Sequence, residues 1–168
     1  MELAKVYSLK THKAKQLVED GKHQISIGDL DVAAETFQKS IELDASADAY
    51  TYLGWVLSLK NQTDEAIELC KKAIAIDPDF GNPYNDIGSY LIQKNLLTEA
   101  IPWLESAKKA KRYEPKHFPY LNLGRVYSAQ GRIDEAITEF KIALKYAPEH
   151  QEIKKVLLQL ENIKNPSN

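Results

Sequence analysis

Cysteine and histidine, which often supply metal ligands and nucleophiles, are scarce in this sequence of 168 residues. The one cysteine, Cys70, can form neither a disulfide within the chain nor a thiolate metal cluster. The four histidines are His12, His23, His117 and His150, and none of them form a metal-binding pair motif. The sequence also lacks the phosphate-binding loop, the dinucleotide-binding glycine motif and the nucleophile elbow. We therefore predict that the protein is not an enzyme and has no catalytic residues, metal or cofactor.

An excess of one charge and long apolar runs are also missing. With 22 basic and 24 acidic residues, the chain has a net charge of −2, which argues against nucleic acid as a partner. It contains no run of 18 apolar residues, so we expect no membrane span, and it has no pattern typical of a secretory signal. We expect a cytoplasmic protein. A leader that had already been removed would leave the same sequence, and that alternative stays open.

The sequence does contain a repeat with a period of 33 to 36 residues. Four glycines recur at this spacing, and an alanine follows each of them after 12 residues. The glycines are Gly21, Gly54, Gly88 and Gly124, and the alanines are Ala33, Ala66, Ala100 and Ala136. A period of this length is typical of a small unit that buries its apolar face against neighbouring copies. Function is therefore expected on a surface.

Each repeat contains two amphipathic segments with a break between them. In the second repeat, Tyr50, Leu53 and Leu57 lie at the i, i+3 and i+7 positions of one helix face. The breaks fall at Gly28, Asn61, Asn95 and Gly131, which tolerate the left-handed conformation that ends a helix. No segment shows the alternation of a strand. The sequence predicts an all-α fold of helix pairs, with the glycine and alanine columns buried where helices cross.

These motifs resemble those of the tetratricopeptide repeat family. Residues 49–55 have the sequence Ala-Tyr-Thr-Tyr-Leu-Gly-Trp, and Asp-Glu-Ala-Ile occurs at both 64–67 and 134–137. The match is strong over residues 47–150 and weaker over 14–46. The resemblance implies an α-solenoid of antiparallel helix pairs, stacked in a right-handed superhelix with a concave face that binds peptides.

The repeat boundaries divide the chain into its expected parts. We predict one domain, since stacked repeats share a continuous core. Its parts are an N-terminal helical extension (1–13), four repeats (14–46, 47–80, 81–116 and 117–150), a capping helix (151–164) and a disordered tail (165–168). The capping helix carries one apolar stripe, formed by Ile153, Val156, Leu157, Leu160 and Ile163. This stripe is expected to cover the last repeat.

A candidate peptide-binding groove follows from the stripe of each first helix that faces the inside of the stack. Its residues are Lys22, Tyr52, Trp55, Asn82, Asn85, Asp86, Ser89, Phe118, Asn122 and Arg125. The amides of Asn85 and Asn122 can each bond a peptide N–H and C=O. The aromatic rings of Tyr52, Trp55 and Phe118 can serve as anchors. The competing interpretation is that Trp55 packs between adjacent first helices and that the asparagines are only solvated.

Two more specialised sites are considered. Members of the family that bind the C-terminal tails of chaperones present lysines, asparagines and an arginine on three successive first helices, and this sequence matches that pattern in neither register. A basic turn, formed by Lys108, Lys109, Lys111 and Arg112, ends the second helix of the third repeat. Cations at a helix C-terminus interact favourably with the helix dipole, which is one explanation for this cluster of basic residues. The other is that the cluster is a second site for a partner.

Two classes of function remain. The first is a non-catalytic scaffold or adaptor that binds a peptide segment of a protein partner in the concave groove. The alternative is self-association, in which exposed apolar residues of the N-terminal segment or the capping helix join copies into homo-oligomers. The oligomeric state in solution separates these classes.

Overall fold

The computed structural model describes residues 2–165 and, within that range, every side chain except those of residues 2–5 and 7. The described residues form nine α-helices and no strand beyond a single bridge between Phe80 and Arg112. The helices are α1 (Glu2–Ser26), α2 (Leu30–Leu43), α3 (Ala47–Leu59), α4 (Thr63–Ile76), α5 (Asn82–Gln93), α6 (Leu97–Lys109), α7 (His117–Ala129), α8 (Ile133–Tyr146) and α9 (Gln151–Lys164). The predicted all-α fold is confirmed.

The helices pack as consecutive antiparallel pairs joined by short connections. They form two compact units, and the boundary in sequence falls between Pro78 and Asp79. The first unit contains α1 to α4, and the second contains α5 to α9. The sequence predicts one domain with a continuous core, and this stays a prediction. Within each unit, a helix pair buries its apolar face mainly against its immediate neighbours, as in other repeat proteins.

A cluster in the core of the first unit lies between α1, α2 and α3, and Leu69 of α4 packs against it. Val18, Phe37, Leu53 and Val56 are its larger buried side chains. The N-terminal helical extension predicted for residues 1–13 is, from Glu2 onward, continuous with the first helix of the first repeat, because α1 runs from Glu2 to Ser26 without a break.

The core of the second unit extends from α5 to α9. Its fully buried side chains include Ile87, Leu104, Leu123, Phe140 and Ile153. In α9, Leu160 is also buried, whereas Ile163 is 65% exposed, so the predicted apolar stripe ends one turn early. Ile163 lies ten residues after Ile153, which places it off the line of the stripe on a helix of 3.6 residues per turn. Asn165 follows the end of α9, and the remainder of the predicted tail lies outside the described residues.

All four predicted breaks have the left-handed backbone. The φ angles are 84° at Gly28, 62° at Asn61, 60° at Asn95 and 73° at Gly131. At the end of α3, the N–H of Gln62 donates to the carbonyl of Leu57, and the N–H of Asn61 donates to that of Ser58. This pair of hydrogen bonds is the Schellman motif, which satisfies carbonyl groups that the helix end leaves unpaired.

The glycine column lies where the two helices of a pair cross. A Cβ added at Gly88 would lie 2.5 Å from Cδ2 of Leu104, and one added at Gly124 would lie 2.7 Å from the ring of Phe140. The four alanines of the second column have no exposed surface. The predicted packing role of both columns is confirmed, since the missing side-chain atoms let large apolar residues of the partner helix approach.

Candidate functional site

Seven of the ten predicted groove residues lie on α5 and α7 of the second unit. We call this set the amide face; it consists of Asn82, Asn85, Asp86, Ser89, Phe118, Asn122 and Arg125. A buried proline stands in the first turn of each helix, Pro83 in α5 and Pro119 in α7. Proline fits there because the first turn of a helix leaves its N–H groups without intrahelical partners. The two helices contact each other, which brings the amide face together as one surface.

The two asparagines at the centre of the amide face bond to each other. Nδ2 of Asn122 donates a 3.0 Å hydrogen bond to Oδ1 of Asn85. Asn85 is 8% exposed and Asn122 is 7% exposed, so both amides are buried. The sequence interpretation, in which both amides are fully available to a peptide, does not foresee this bond. Binding of a ligand by these residues stays a prediction.

Asp86 continues this polar chain. Its carboxyl group is hydrogen-bonded to the side chain of Asn85, while the residue as a whole is half-buried. Burial raises the pKa of Asp86 to about 7, and the hydrogen bond from Asn85 offsets only part of that shift. Among the described residues, no cation lies within ion-pair distance of this carboxyl group. The amide face therefore contains an ionisable group whose charged form is poorly compensated.

The outer parts of the amide face are more open. The ring of Phe118 is exposed and lies 4.2 Å from the ring of His117, measured between centroids. Arg125 donates a 2.7 Å charged hydrogen bond to Glu152 of α9, which lowers the pKa of the Glu152 carboxyl group. The side chain of Asn82 donates to the backbone carbonyl of Glu114 at 3.4 Å. Thus α9 and the α6–α7 connection border the face and occupy two of its polar residues.

The three remaining predicted residues form an aromatic face on the first unit, defined by Lys22, Tyr52 and Trp55. The ring of Tyr52 stacks on that of Phe37 with 5.6 Å between centroids. The centroid of the Trp55 ring lies 6.4 Å from that of Tyr52. Nζ of Lys22 lies 5.4 Å from the centre of the Tyr52 ring. Trp55 is 42% exposed, which favours the interpretation as an accessible anchor over burial between first helices.

The basic turn is not a patch of free cations. Nζ of Lys108 contacts Glu139 at 3.0 Å and Glu105 at 3.1 Å, and Lys111 contacts Asp79 at 2.9 Å. The guanidinium of Arg112 stacks on the ring of Phe80 at 3.8 Å, and the N–H of Arg112 donates to the carbonyl of Asp79. Three of the four cations of the basic turn, Lys108, Lys111 and Arg112, therefore make ion pairs or ring contacts within the fold.

The surroundings of Lys108 contain residues that the sequence did not single out. Burial alone would lower the pKa of Lys108, but its hydrogen bonds to Glu139 and Glu105 outweigh burial and raise it. Nζ of Lys108 also lies 4.9 Å from the centre of the Tyr120 ring, which stacks on Tyr146. Lys108 and Glu139 are 31 residues apart, and no local pattern marks them as partners.

The residues that the structure describes contain no group of three histidine, cysteine, aspartate or glutamate side chains arranged to hold a metal ion. Within the same part of the chain, no helix combines the length and apolar character needed to cross a membrane. Cys70, the one thiol, is buried.

Family models and similar proteins point to the same repeat family. Residues 47–80 and 118–150 each match a family model described as tetratricopeptide repeat. The chain is 32% identical over 106 residues to the small glutamine-rich tetratricopeptide repeat-containing protein 2 of Mycosarcoma maydis. The matched segment covers 62% of this chain and 29% of that protein. The chain is 29% identical over 124 residues to the type IV pilus assembly protein PilF of Pseudomonas aeruginosa, which covers 70% of this chain and 49% of the relative.

Solved structures show the same fold. The structure of Pseudomonas aeruginosa PilF matches over 92% of this chain and 70% of that chain, with a TM-score of 0.87 and 22% identity. The structure of YrrB, described as a TPR protein with an unusual peptide-binding site, matches over 88% of this chain and 76% of that chain, with a TM-score of 0.66 and 23% identity. The chain spans less than half the length of the two curated relatives named above.

Proposed function

Because the chain is a tetratricopeptide repeat protein, we propose that it is a non-catalytic scaffold or adaptor that binds a peptide segment of a protein partner. Tetratricopeptide repeats mediate protein–protein interactions, and the amide face supplies the chemistry for one. The observation that carries the proposal is Asp86, whose carboxyl group is hydrogen-bonded to Asn85 and has no cationic partner among the described residues. A peptide can supply that partner.

The ligand that best fits the amide face carries a lysine or arginine side chain. Its cation would pair with the carboxylate of Asp86, and such a charge-assisted contact is stronger than a neutral hydrogen bond. The Oδ1 atom of Asn122 receives no hydrogen bond from the described residues, so it can accept one from a peptide N–H. The exposed ring of Phe118 adds an apolar contact.

The aromatic face of the first unit supports the same function. It offers Trp55 as an exposed anchor and Lys22 as a cation whose ion pair with Glu19 is exposed to solvent and therefore weak. Aromatic side chains contribute much of the binding energy at protein interfaces. Each unit therefore presents groups suited to a peptide.

The pH dependence of peptide affinity tests this proposal. Peptides from a display library are selected on the full chain, and the affinity of each is measured by isothermal titration calorimetry between pH 6 and 8. Since a bound cation favours the ionised carboxyl group, we expect the affinity to rise with pH for the wild type and to stay flat for Asp86→Asn. The matched control is Glu99→Gln, which removes an exposed carboxylate from α6 outside the amide face. Selected peptides without basic residues, or equal affinities for wild type and Asp86→Asn, would contradict the proposal.

Self-association is the second candidate. The observation that favours it is the exposure of Val6 and Leu9 near the start of α1, where two apolar side chains face solvent. Light scattering of the wild type and of Val6→Ser/Leu9→Ser tests it. A monomeric wild type at all accessible concentrations would exclude this function.

A further inference from the structure

A cavity of about 140 Å³ lies in the second unit, and no residue of the amide face lines it. It is lined by Ala107, Lys108, Ala110, Lys111, Tyr113, Lys116, Tyr120 and Tyr146. We call it the lysine–tyrosine pocket. A site for one water needs only about 10–15 Å³, so this cavity has room for a larger polar group. It is formed by the end of α6, the α6–α7 connection, the start of α7 and the end of α8.

The polar side chains that line the pocket are all lysines or tyrosines, and no carboxylate lines it. A lysine ammonium group only donates hydrogen bonds, and a tyrosine hydroxyl can donate one. Tyr120 and Tyr146 stack with 5.5 Å between ring centroids and hydrogen-bond through their phenols, which fixes one wall. A lining rich in donors selects a ligand that is rich in acceptors.

Lys108 provides a fixed positive charge in this wall. Its Nζ atom is held by Glu105 and Glu139, and the side chain is largely buried. The two carboxylates hold the pKa of Lys108 above its usual value, so the ammonium group keeps its proton at neutral pH. The same carboxylates reduce the positive field that a ligand would feel, as do the carbonyl ends of α6 and α8.

Lys111 and Lys116 supply mobile positive charge at the pocket. The Lys111 side chain is 81% exposed and pairs with Asp79, and Lys116 reaches Glu114 only at 4.0 Å. Exposed ion pairs of this kind are weak, so both ammonium groups can turn to a ligand at small cost. Together with Lys108, they place three cations around one cavity.

We propose that the lysine–tyrosine pocket binds a phosphoryl group. A dianionic phosphate offers several acceptor oxygens to the three ammonium groups, whereas a carboxylate offers two oxygens and a single charge. The group belongs either to inorganic phosphate or to a phosphate monoester such as phosphoserine. The pocket lining and the amide face share no residue, but they are neighbours, because burial and then the carboxylate of Asp86 raise the pKa of the Tyr113 phenol.

Calorimetric titration of the full chain with inorganic phosphate and with O-phosphoserine tests the proposal. The decisive variant is Lys111→Gln/Lys116→Gln, whose substitutions lie on exposed side chains and leave the core intact. The control is Lys109→Gln, which removes one positive charge at the end of α6, close to the pocket in sequence but outside its lining. We expect saturable binding that weakens about tenfold in the double variant and less than about twofold in the control.

Each outcome has a defined meaning. No saturable binding up to about 10 mM of either probe overturns the proposal, as does an equal loss of affinity in Lys109→Gln, which would show non-specific attraction to the basic turn. Tighter binding of O-phosphoserine than of inorganic phosphate supports the site and assigns it to a phosphate monoester. The reverse order supports the site and assigns it to free phosphate.

Discussion

Asn122 of α7 donates a hydrogen bond of 3.0 Å to Asn85 of α5, and the two residues are 37 positions apart in the sequence. Because both side chains are buried, the bond fixes the orientation of each amide. Asn85 is in turn hydrogen-bonded to Asp86, so the three side chains form one polar network. The centre of the amide face therefore has one fixed arrangement, and we expect this to reduce the entropy cost of the proposed peptide binding.

Replacement of Asn122 by alanine tests the buried bond. The substitution leaves Oδ1 of Asn85 buried without its donor, so we expect a loss of about 1–3 kcal/mol in the free energy of unfolding. The measurement is urea denaturation followed by circular dichroism. Asn162→Ala, at an exposed position of α9, serves as control and is expected to change stability by less than about 0.5 kcal/mol. An equal effect of the two substitutions would show that the bond does not contribute.

The pH dependence of stability tests the burial of Asp86. Its pKa is raised from 3.8 to about 7 in the folded chain, so the folded state binds the proton more tightly than the unfolded state. The resulting stabilisation is complete below about pH 4 and is lost as the pH rises toward 7. We therefore expect Asp86→Asn to be more stable than the wild type at pH 8, and the advantage to fall away toward pH 4. Parallel stability curves for the two proteins between pH 4 and 8 would contradict this.

The architecture could be predicted from the sequence because it rests on local, repeated signals. Gly124 and Ala136 mark a helix crossing by their size, and Asn61 marks a helix end by its tolerance of positive φ. Each signal acts within one helix pair and recurs in every repeat, so the period makes it visible.

The contacts of the candidate site could not be predicted in the same way. The bond between Asn85 and Asn122 and the ion pair between Lys108 and Glu139 join residues of different repeats. They depend on which side chains meet when helices pack, and sequence spacing along one helix does not contain that information. The spacing along each first helix predicts that both asparagines belong to one groove, but it carries no information on whether their side chains bond to each other.

Substitution of Gly124 by alanine tests the close helix crossing. The new Cβ would lie 2.7 Å from the Phe140 ring, so the ring or the helices must shift. Overpacking costs about 1–3 kcal/mol, and the higher helix propensity of alanine returns up to about 1 kcal/mol, so we expect a net loss of stability. In a double-mutant cycle, Gly124→Ala/Phe140→Leu should lose less than the sum of the single variants. Additive losses would place the strain elsewhere.

The capping helix offers a matched pair of isoleucines. Ile153 is fully buried against the second unit, whereas Ile163 is mostly exposed. We expect Ile153→Ala to lower the free energy of unfolding by about 2–4 kcal/mol through lost burial and the cavity that remains, and Ile163→Ala to change it by less than about 0.5 kcal/mol. Thermal denaturation of both variants measures the difference. Similar losses for both would mean that α9 does not dock through Ile153.

The basic turn contains a lysine in a buried ion pair, Lys108, and a lysine in an exposed ion pair, Lys111. Lys108→Met keeps the apolar stem but leaves Glu139 buried without its cation, and we expect a loss of about 1–3 kcal/mol at pH 8. Burial already raises the pKa of Glu139, and removal of the lysine would raise it further, so protonation should remove much of the loss near pH 4. Lys111→Met, at an exposed pair, should change stability by less than about 1 kcal/mol at either pH. A loss in Lys108→Met that does not depend on pH would show that its packing, and not its charge, stabilises the turn.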